Sequence, residues 1–374
     1  MPVSIFENLF VLELANNHWG KLERGTKIIH DFARVVRFND VHAAVKLQFR
    51  DVDSFVHRDF RDRSDIRYIK KTLDTQMSWD NLRAMVEEVR DTGMVTMVTP
   101  FDEVSVDRCV EFGVEILKIA SSDIRDKTLL SKIASTGLPV IASSGGADLH
   151  HIDELVEFFT SRNIPFALNH CVSLYPSEDS DLELDQIDFF RARYPHITIG
   201  FSTHEYRDWH DSILVAYAKG ARTFERHVDI DYEGVPVSSY CTKPEQADIW
   251  FRAFKKAQEM CGHGANARRE VPEEERCYLD ALVRGVYAKR DIGAGETLSR
   301  NDVYFSVPLI KGQISTREFV GGEKVTGPIA AHAAIDVESI LAPLHDDPAL
   351  VELILDRGLE PEAPTADKRT ALAS

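Results

Sequence analysis

Histidines, lysines and a glutamate recur at one parity near the ends of short apolar runs, and these are the residue types that do chemistry. His204 ends "ITIGFSTH" and His227 ends "RTFERH". In an extended strand alternate side chains face the same side. Thr198, Gly200, Ser202 and His204 therefore share a face, as do Thr223, Glu225 and His227. Two imidazoles whose shell is completed by water and substrate oxygens make a labile divalent-metal site, unlike a closed structural one. The bland alternative is a hydrogen-bonded pair of rim histidines, because a His pair alone is a weak motif. His18 in "NNHWG" is a third candidate ligand, although "NNH" also reads as an Asn-rich turn. His150 and His151 open a helix and read as surface. Ala44, Lys46 and Gln48 share one face, and Ile116, Lys118 and Ala120 another. Lysine is seldom buried without a partner. Two inward lysines in one mouth point to an anion such as phosphate or carboxylate, or to a Schiff base with a carbonyl substrate. For either lysine alone, a solvated strand end is the competing reading.

The elements that must hold these groups are short and regular. The apolar runs are "LFVLELA" (9–15), "AAVKLQ" (43–48), "MVTMVT" (94–99), "EILKIA" (115–120), "PVIASS" (139–144), "FALNHC" (166–171), "ITIGFS" (197–202) and "RTFERH" (222–227). Amphipathic stretches such as "MSWDNLRAMVEEVRDTG" and "HIDELVEFFTSRNI" separate them, and "PEQADIWFRAFKKAQEMCG" follows the last. Eight strand–helix units in series fit a (β/α)8 barrel better than an open sheet. Chemistry in that fold sits at the C-terminal ends of the strands. The polar residues at or just past those ends are Glu13, Asn16, Asn17 and His18; Lys46 and Gln48; Thr99 and Asp102; Lys118, Ser121 and Asp123; Ser143 and Ser144; Ser173 and Tyr175; Ser202 and His204; Glu225 and His227. Arg226, on the other face of its strand, is expected to pack or pair outside the barrel.

The barrel is expected over residues 1–262. The charged stretch "HGANARREVPEEER" reads as a linker, placed at 263–278. From 279 to 342 the texture changes to short β-like runs with a Gly-rich turn, "YAKRDIGAGETLSRNDV", which predicts a small β-rich domain. The tail, 343–374, holds one helix in "DPALVELILDRG" and ends in a segment expected to be disordered. The formal charge of −17 disfavours nucleic acid or an anionic membrane as partner. Five cysteines, an odd number without CxxC spacing, fit a reducing cytoplasm better than a disulfide framework. The first residues show neither the pattern of a signal peptide nor that of a membrane span.

"ELANNHWG" resembles the E-I-G-x-N-H-x-G opening of the N-acetylneuraminate (sialic acid) synthases. "VKLQ", "VTPFDE", "LKIASSD", "IASSGG", "HCVSLYP", "IGFSTHE" and "FERH" follow in that family's order and spacing. The region after the linker resembles the antifreeze-like (SAF, β-clip) domain of these enzymes. In layout the spore coat polysaccharide biosynthesis protein E type is the most similar branch. The resemblance implies a TIM barrel followed by that domain. It implies a metal-dependent transferase that forms a carbon–carbon bond between phosphoenolpyruvate and an N-acylhexosamine or its 6-phosphate. The product would be a nonulosonic acid for surface polysaccharide biosynthesis, with release of phosphate. By matched position it implies Lys46, Thr99, Lys118, Ser121, Ser173 and Ser202 on phosphoenolpyruvate, with Ser144 beside them. His204 and His227 would hold Mn2+ or Mg2+. Glu13, Gln48 and Tyr175 would contact the sugar. Asp123 stands where the family has a catalytic Glu or Asp, Glu225 is a second carboxylate next to the metal, and Glu13 is a third acid–base candidate. A domain-swapped homodimer is implied as well.

Two positions depart from the family's pattern. Val237 stands where an Asp contacts the sugar, and Val307 where an Arg reaches the partner subunit's sugar site; Lys311 and Arg317 are candidates to replace that Arg. Both departures concern sugar recognition. They also motivate a rival outside enzymology, a polysaccharide-binding relative without turnover. A Schiff-base aldolase using Lys118 or Lys46 is the rival enzyme.

Overall fold

The eight apolar runs are the eight strands of one closed parallel barrel in the computed structural model, which describes residues 4–232, 234–262 and 268–360. The strands are β1 (Leu9–Ala15), β2 (Ala43–Phe49), β3 (Val95–Pro100), β4 (Ile116–Ile119), β5 (Val140–Ser143), β6 (Phe166–Cys171), β7 (Thr198–Thr203) and β8 (Thr223–His227). They are apolar on both faces because both are buried. Phe10, Leu12, Val45, Leu47, Val98 and Leu117 pack outward under the helices. Leu9, Val11, Ala44, Met97, Ile116, Ile141 and Ala167 fill the interior. Inward positions become polar only toward the C-terminal ends. Closure of β1 on β8 sets Glu13 opposite His227, while β1–β2 pairing sets Glu13 opposite Lys46.

The outer helices are α1 (Leu22–Asn39), the short α2 (Val52–Phe55), α3 (Arg67–Asp74), α4 (Trp79–Asp91), α5 (Glu103–Glu111), α6 (Lys127–Ala134), α7 (Leu149–Thr160), α8 (Asp185–Arg193), α9 (Asp211–Ala218) and α10 (Pro244–Cys261). The stripe Ile28, Ile29, Phe32, Ala33 and Val36 seats α1 on the barrel. Side-chain oxygens of Ser78, Asp102 and Asp126 accept backbone N–H groups at the starts of α4, α5 and α6, each typically worth ~1 kcal/mol. Asp102 spends its other oxygen on the N–H of Asp51, at 2.7 Å. A rim position in the sequence, it is thus a structural brace. Arg226 does pair outside the barrel: its guanidinium lies 2.6 Å from Glu205 and also donates to Thr242. Arg24 pairs with Asp229 at 2.7 Å, both fully buried.

Gly200 occupies an inward position of β7 where a methyl group would run into Thr223 and Asn169, whose side chains are hydrogen-bonded at 2.5 Å. Gly200→Ala is expected to destabilise the barrel by about 1–3 kcal/mol, the usual cost of overpacking. An unchanged urea midpoint would contradict that contact.

The chain divides into two compact units between residues 263 and 264. The second has its own apolar core, including Val286, Val303, Ile314, Ile335 and Ile340. Its strands are β9 (Gly285–Ala288) with β10 (Val303–Ser306), and β11 (Lys324–Val325) with β12 (Ile340–Leu341), each pair antiparallel. Two boundaries differ from the sequence reading. The expected linker 263–278 contains most of α11 (Glu273–Asp280). Pro272 precedes three first-turn glutamates there, which suit a helix N-terminus. The expected tail also enters this unit: α12 (Pro348–Asp356) buries Ile354 in the core, and Arg357 pairs with buried Glu318 at 2.5 Å. Residues 361–374, expected to be disordered, lie outside the described residues. Lys311 pairs with Glu360 at 2.6 Å, while Val307 and Arg317 are exposed. Among the described residues no helix is long and apolar enough to cross a membrane. All five cysteines are free thiols.

Candidate functional site

The polar strand ends converge on a cavity of about 750 Å³ at the C-terminal mouth of the barrel. Lys46 sits at its centre. Its Nζ lies 2.6 Å from Glu13 and 2.8 Å from Glu225. Lys118 lies 3.6 Å from Glu225 and donates to Ser143. Gln48 donates to Glu13 at 2.7 Å. Parity turns all of these side chains inward from β1, β2, β4 and β8, and their length lets them meet across register steps: Glu13 is level with Lys46, whereas Glu225 is level with Val11. Burial lowers Lys46 to about 8, with the Lys118 charge adding to that and Glu225 opposing it. Burial opposes ionisation of Glu225, but the Lys118 and Lys46 ammonium groups overcome it and hold the carboxyl at about 2. Lys46 and Glu225 therefore form an ionised pair at neutral pH.

The imidazoles of His204 and His227 lie side by side, ring centres 5.4 Å apart. Tyr175 lies over His204 at 3.9 Å, and Tyr240 meets His227 edge-on at 5.3 Å. Burial pushes His204 down to about 4 and His227 well below its ordinary value, so both are neutral near pH 7. His204 Nδ1 is 2.9 Å from the Val172 carbonyl. A carbonyl only accepts, so Nδ1 carries the proton and Nε2 keeps its lone pair. A neutral imidazole oriented by a backbone carbonyl is the form that binds metal. Among the described residues no cluster of three or more His, Cys, Asp and Glu is arranged as a metal shell. The donor chemistry thus fits an open, exchangeable divalent cation held by two histidines, and not a closed one.

Past the ends of β4, β5 and β6, Ser121, Gly145 and Ser173 meet. The Gly145 N–H donates to the Ser121 hydroxyl at 3.1 Å, and a methyl group at Gly145 would collide with Ser173. Glycine is required there so that three polar groups can approach one small volume. Asp123 is half-buried, and that burial raises its carboxyl pKa.

Of the residues singled out in the sequence as site candidates, Glu13, Lys46, Gln48, Thr99, Lys118, Ser121, Asp123, Ser173, Tyr175, Ser202, His204, Glu225 and His227 all line this cavity. Ser144 does not. Inward parity in β5 falls on Ile141 and Ser143, so the Ser144 hydroxyl turns away and accepts the N–H of Cys171 at 3.3 Å. Ser143 is the lining residue. His18 is also absent from the cavity: its Nδ1 accepts the Gly20 N–H at 3.0 Å, which makes it a turn residue. Arg50, Tyr68, Lys71, Phe101 and Tyr240 line the cavity and were not anticipated. Arg50 was accessible to the same alternation as Lys46 and Gln48, extended by one step. Tyr68 and Lys71 ride on α3, and Tyr240 on the loop after β8, where no local periodicity signals an inward aim.

A family model described as the NeuB family matches residues 40–266. A spore coat polysaccharide biosynthesis protein E of Chromobacterium violaceum has a structure similar to this chain, with TM-score 0.86 and 36% identity, covering 90% of this chain and 100% of that one. The citrate complex of a sialic acid synthetase from Leptospira borgpetersenii is similar over 73% of this chain and 91% of its own, with TM-score 0.64 and 27% identity. The N-acetylneuraminate-9-phosphate synthase of Mus musculus is 24% identical over 88% of this chain and 92% of its own length.

Proposed function

This chain belongs to the NeuB family, and from that premise we propose that it condenses phosphoenolpyruvate with an N-acylhexosamine, or its 6-phosphate, to give a nonulosonic acid and phosphate. One observation carries the reading. Paired lysines and carboxylates, a hydroxyl-lined wall and two neutral imidazoles share one cavity at the strand ends.

The chemistry divides among these groups. Lys46 and Lys118, with Ser121 and Ser173, orient the enol phosphate and hold its negative charge in a water-poor pocket. Carbon 3 of phosphoenolpyruvate attacks the aldehyde carbon of the open-chain sugar, forming the carbon–carbon bond. Water adds to carbon 2, and phosphate leaves with cleavage of its carbon–oxygen bond. Glu13, Glu225 and Asp123 are the carboxylates available to move protons. Asp123, whose pKa is raised, suits the acid role better than Glu225. His204 and His227 would hold Mn2+ or Mg2+, which when bound supplies Lewis-acid polarisation of the aldehyde oxygen.

The decisive test is phosphate release from phosphoenolpyruvate with a panel of N-acylhexosamines and their 6-phosphates, with and without Mn2+. Release that depends on both acceptor and metal supports the reading; no release with any acceptor overturns it. One observation favours a second reading. A lysine lowered to about 8 suits Schiff-base chemistry. Against it, the two carboxylates around Lys46 stabilise its ammonium form. A keto-acid adduct trapped by borohydride on Lys46 or Lys118 would establish the aldolase instead.

The second unit is proposed to be an antifreeze-like domain, and the working assembly a domain-swapped homodimer. Light scattering at micromolar concentration should give twice the chain mass. A monomer that is active at that concentration would remove the swap.

A further inference from the structure

Four cationic side chains line the cavity: Lys46, Arg50, Lys71 and Lys118. Lys46 and Lys118 face Glu13 and Glu225 as ion pairs. Among the described residues, Arg50 and Lys71 have no carboxylate at ion-pair distance. In a chain of net charge −17, two cavity cations without a close ion-pair partner among the described residues are unlike Lys46 and Lys118; the nearest opposing charges act at longer range, Asp123 and Asp102 on Arg50 and Asp229 on Lys71.

Arg50 is held firmly but used only in part. Its guanidinium stacks 3.6 Å from the Phe101 ring centre. One terminal nitrogen donates to Gln48 at 3.0 Å and to Tyr68 at 2.8 Å. Its Nε is buried and has no hydrogen-bond partner. A buried donor without a partner costs stability in the empty protein, and a planar fork fixed by stacking is already shaped for a bidentate anion. Lys71 is half-buried on α3. Burial lowers its pKa; the Cys241 and Asp229 side chains oppose that shift, and the neighbouring Arg67 and Arg50 charges add to it. Arg67 and Lys71 are also four residues apart on one helix, a like-charge spacing that is unfavourable by itself.

The hydrogen bonds of Arg50 lead toward the acceptor, although its charge also reaches Asp123, two residues past Ser121. Arg50 donates to Gln48, and Gln48 donates to Glu13; these are the residues assigned above to the sugar. Lys71 lines the same cavity as His227 and Tyr240. The hydroxyl wall of Ser121 and Ser173 is built around Gly145 and includes neither cation.

We propose that Arg50 and Lys71 form a second anion subsite in this cavity, which takes an anionic substituent, phosphate monoester or carboxylate, on the acceptor sugar. The proposal rests on the synthase reading and narrows it to charged acceptors. Binding relieves the repulsion between the two cations. A neutral acylhexosamine would leave that cost in place.

The test uses the full chain with N-acetylmannosamine, its 6-phosphate and N-acetylmannosaminuronic acid, the last two separating phosphate from carboxylate. Phosphate release should be at least about tenfold more efficient with one of the anionic sugars than with the neutral one. Calorimetry without divalent metal should show that sugar binding at least about tenfold more weakly to Arg50→Gln and to Lys71→Gln, while phosphoenolpyruvate affinity stays within about twofold. Lys71→Gln lies on a half-exposed helix and guards against a folding defect in Arg50→Gln. Equal or better turnover of the neutral sugar would overturn the subsite and leave the synthase reading intact. Loss of phosphoenolpyruvate affinity in these variants would assign the cations to that substrate and overturn it too. If no sugar releases phosphate, the synthase reading fails. The subsite is then decided by calorimetry alone, and anionic-sugar binding that is absent, or unchanged in the variants, overturns it.

Discussion

Replacing His204 or His227 by alanine should abolish phosphate release and weaken Mn2+ binding by more than about a hundredfold, the upper end of what even an outer partner of a metal ligand contributes. Both rings face the cavity as neutral imidazoles with centres 5.4 Å apart, and among the described residues no further protein donors form a metal shell with them. With only two protein donors, removing one leaves too little to hold the ion. The barrel itself should survive, because among the described residues the one hydrogen bond made by either ring is that of His204 to the Val172 carbonyl, beyond the end of β6. Calorimetry with Mn2+ on the folded variants is the direct measurement. Unchanged affinity in both would sink the two-histidine metal site and, with it, the Lewis-acid part of the mechanism.

The second large effect separates two lysines of the same charge. Lys118→Ala should weaken phosphoenolpyruvate binding by about 2–3 kcal/mol, typical of a charge-assisted contact, with a smaller loss of stability than Lys46→Ala. Its ion-pair partner Glu225 is 3.6 Å away and retains Lys46. Lys46→Ala should weaken binding similarly and also destabilise the barrel. It strands Glu13 and Glu225, both buried, without the ammonium group that lies 2.6 and 2.8 Å from them. Breaking a buried pair by removing one partner typically costs about 3–5 kcal/mol. Urea unfolding beside phosphoenolpyruvate titration distinguishes the two. Equal midpoints for the two variants would mean that the Glu13–Lys46–Glu225 cluster is not the electrostatic centre described above. A lysine whose loss leaves phosphoenolpyruvate affinity at the wild-type level must be reassigned.

Strand alternation explains why so much of this arrangement was legible beforehand. Lys46 and Gln48, or Glu225 and His227, are two residues apart, and a strand buried on both faces sends such pairs to one side regardless of what surrounds it. Eight repeats of strand and helix leave few topologies other than a closed barrel. Where the reading slipped, a one-residue shift or a non-repetitive segment was responsible. "IASSGG" offers two serines, and only the true parity of β5 decides that Ser143 faces the cavity and Ser144 does not. Asp102 and His18 carry chemistry-bearing groups at the rim, but local backbone N–H groups claim their acceptors first. In the second unit, α12 looks like part of a tail because its single buried anchor, Ile354, has meaning only once a distant core exists to receive it.

Sequence periodicity was thus sufficient for the barrel, for the face on which each strand residue lies, and for the residue types available at the mouth. It could not yield the pairing of Lys46 with two carboxylates from β1 and β8, because those contacts join residues 33 and 179 apart in sequence, and their distances depend on closure and register. Nor could it reveal Arg50 and Lys71 as cavity cations without a close ion-pair partner among the described residues. Whether a charge is neutralised is a property of everything packed around it, and α3 reaches the cavity through a stretch with no repeating pattern. Local chain geometry has a fixed period, so alternation can be read one residue at a time; electrostatic environment is set by all neighbours at once, and only the folded chain assembles them.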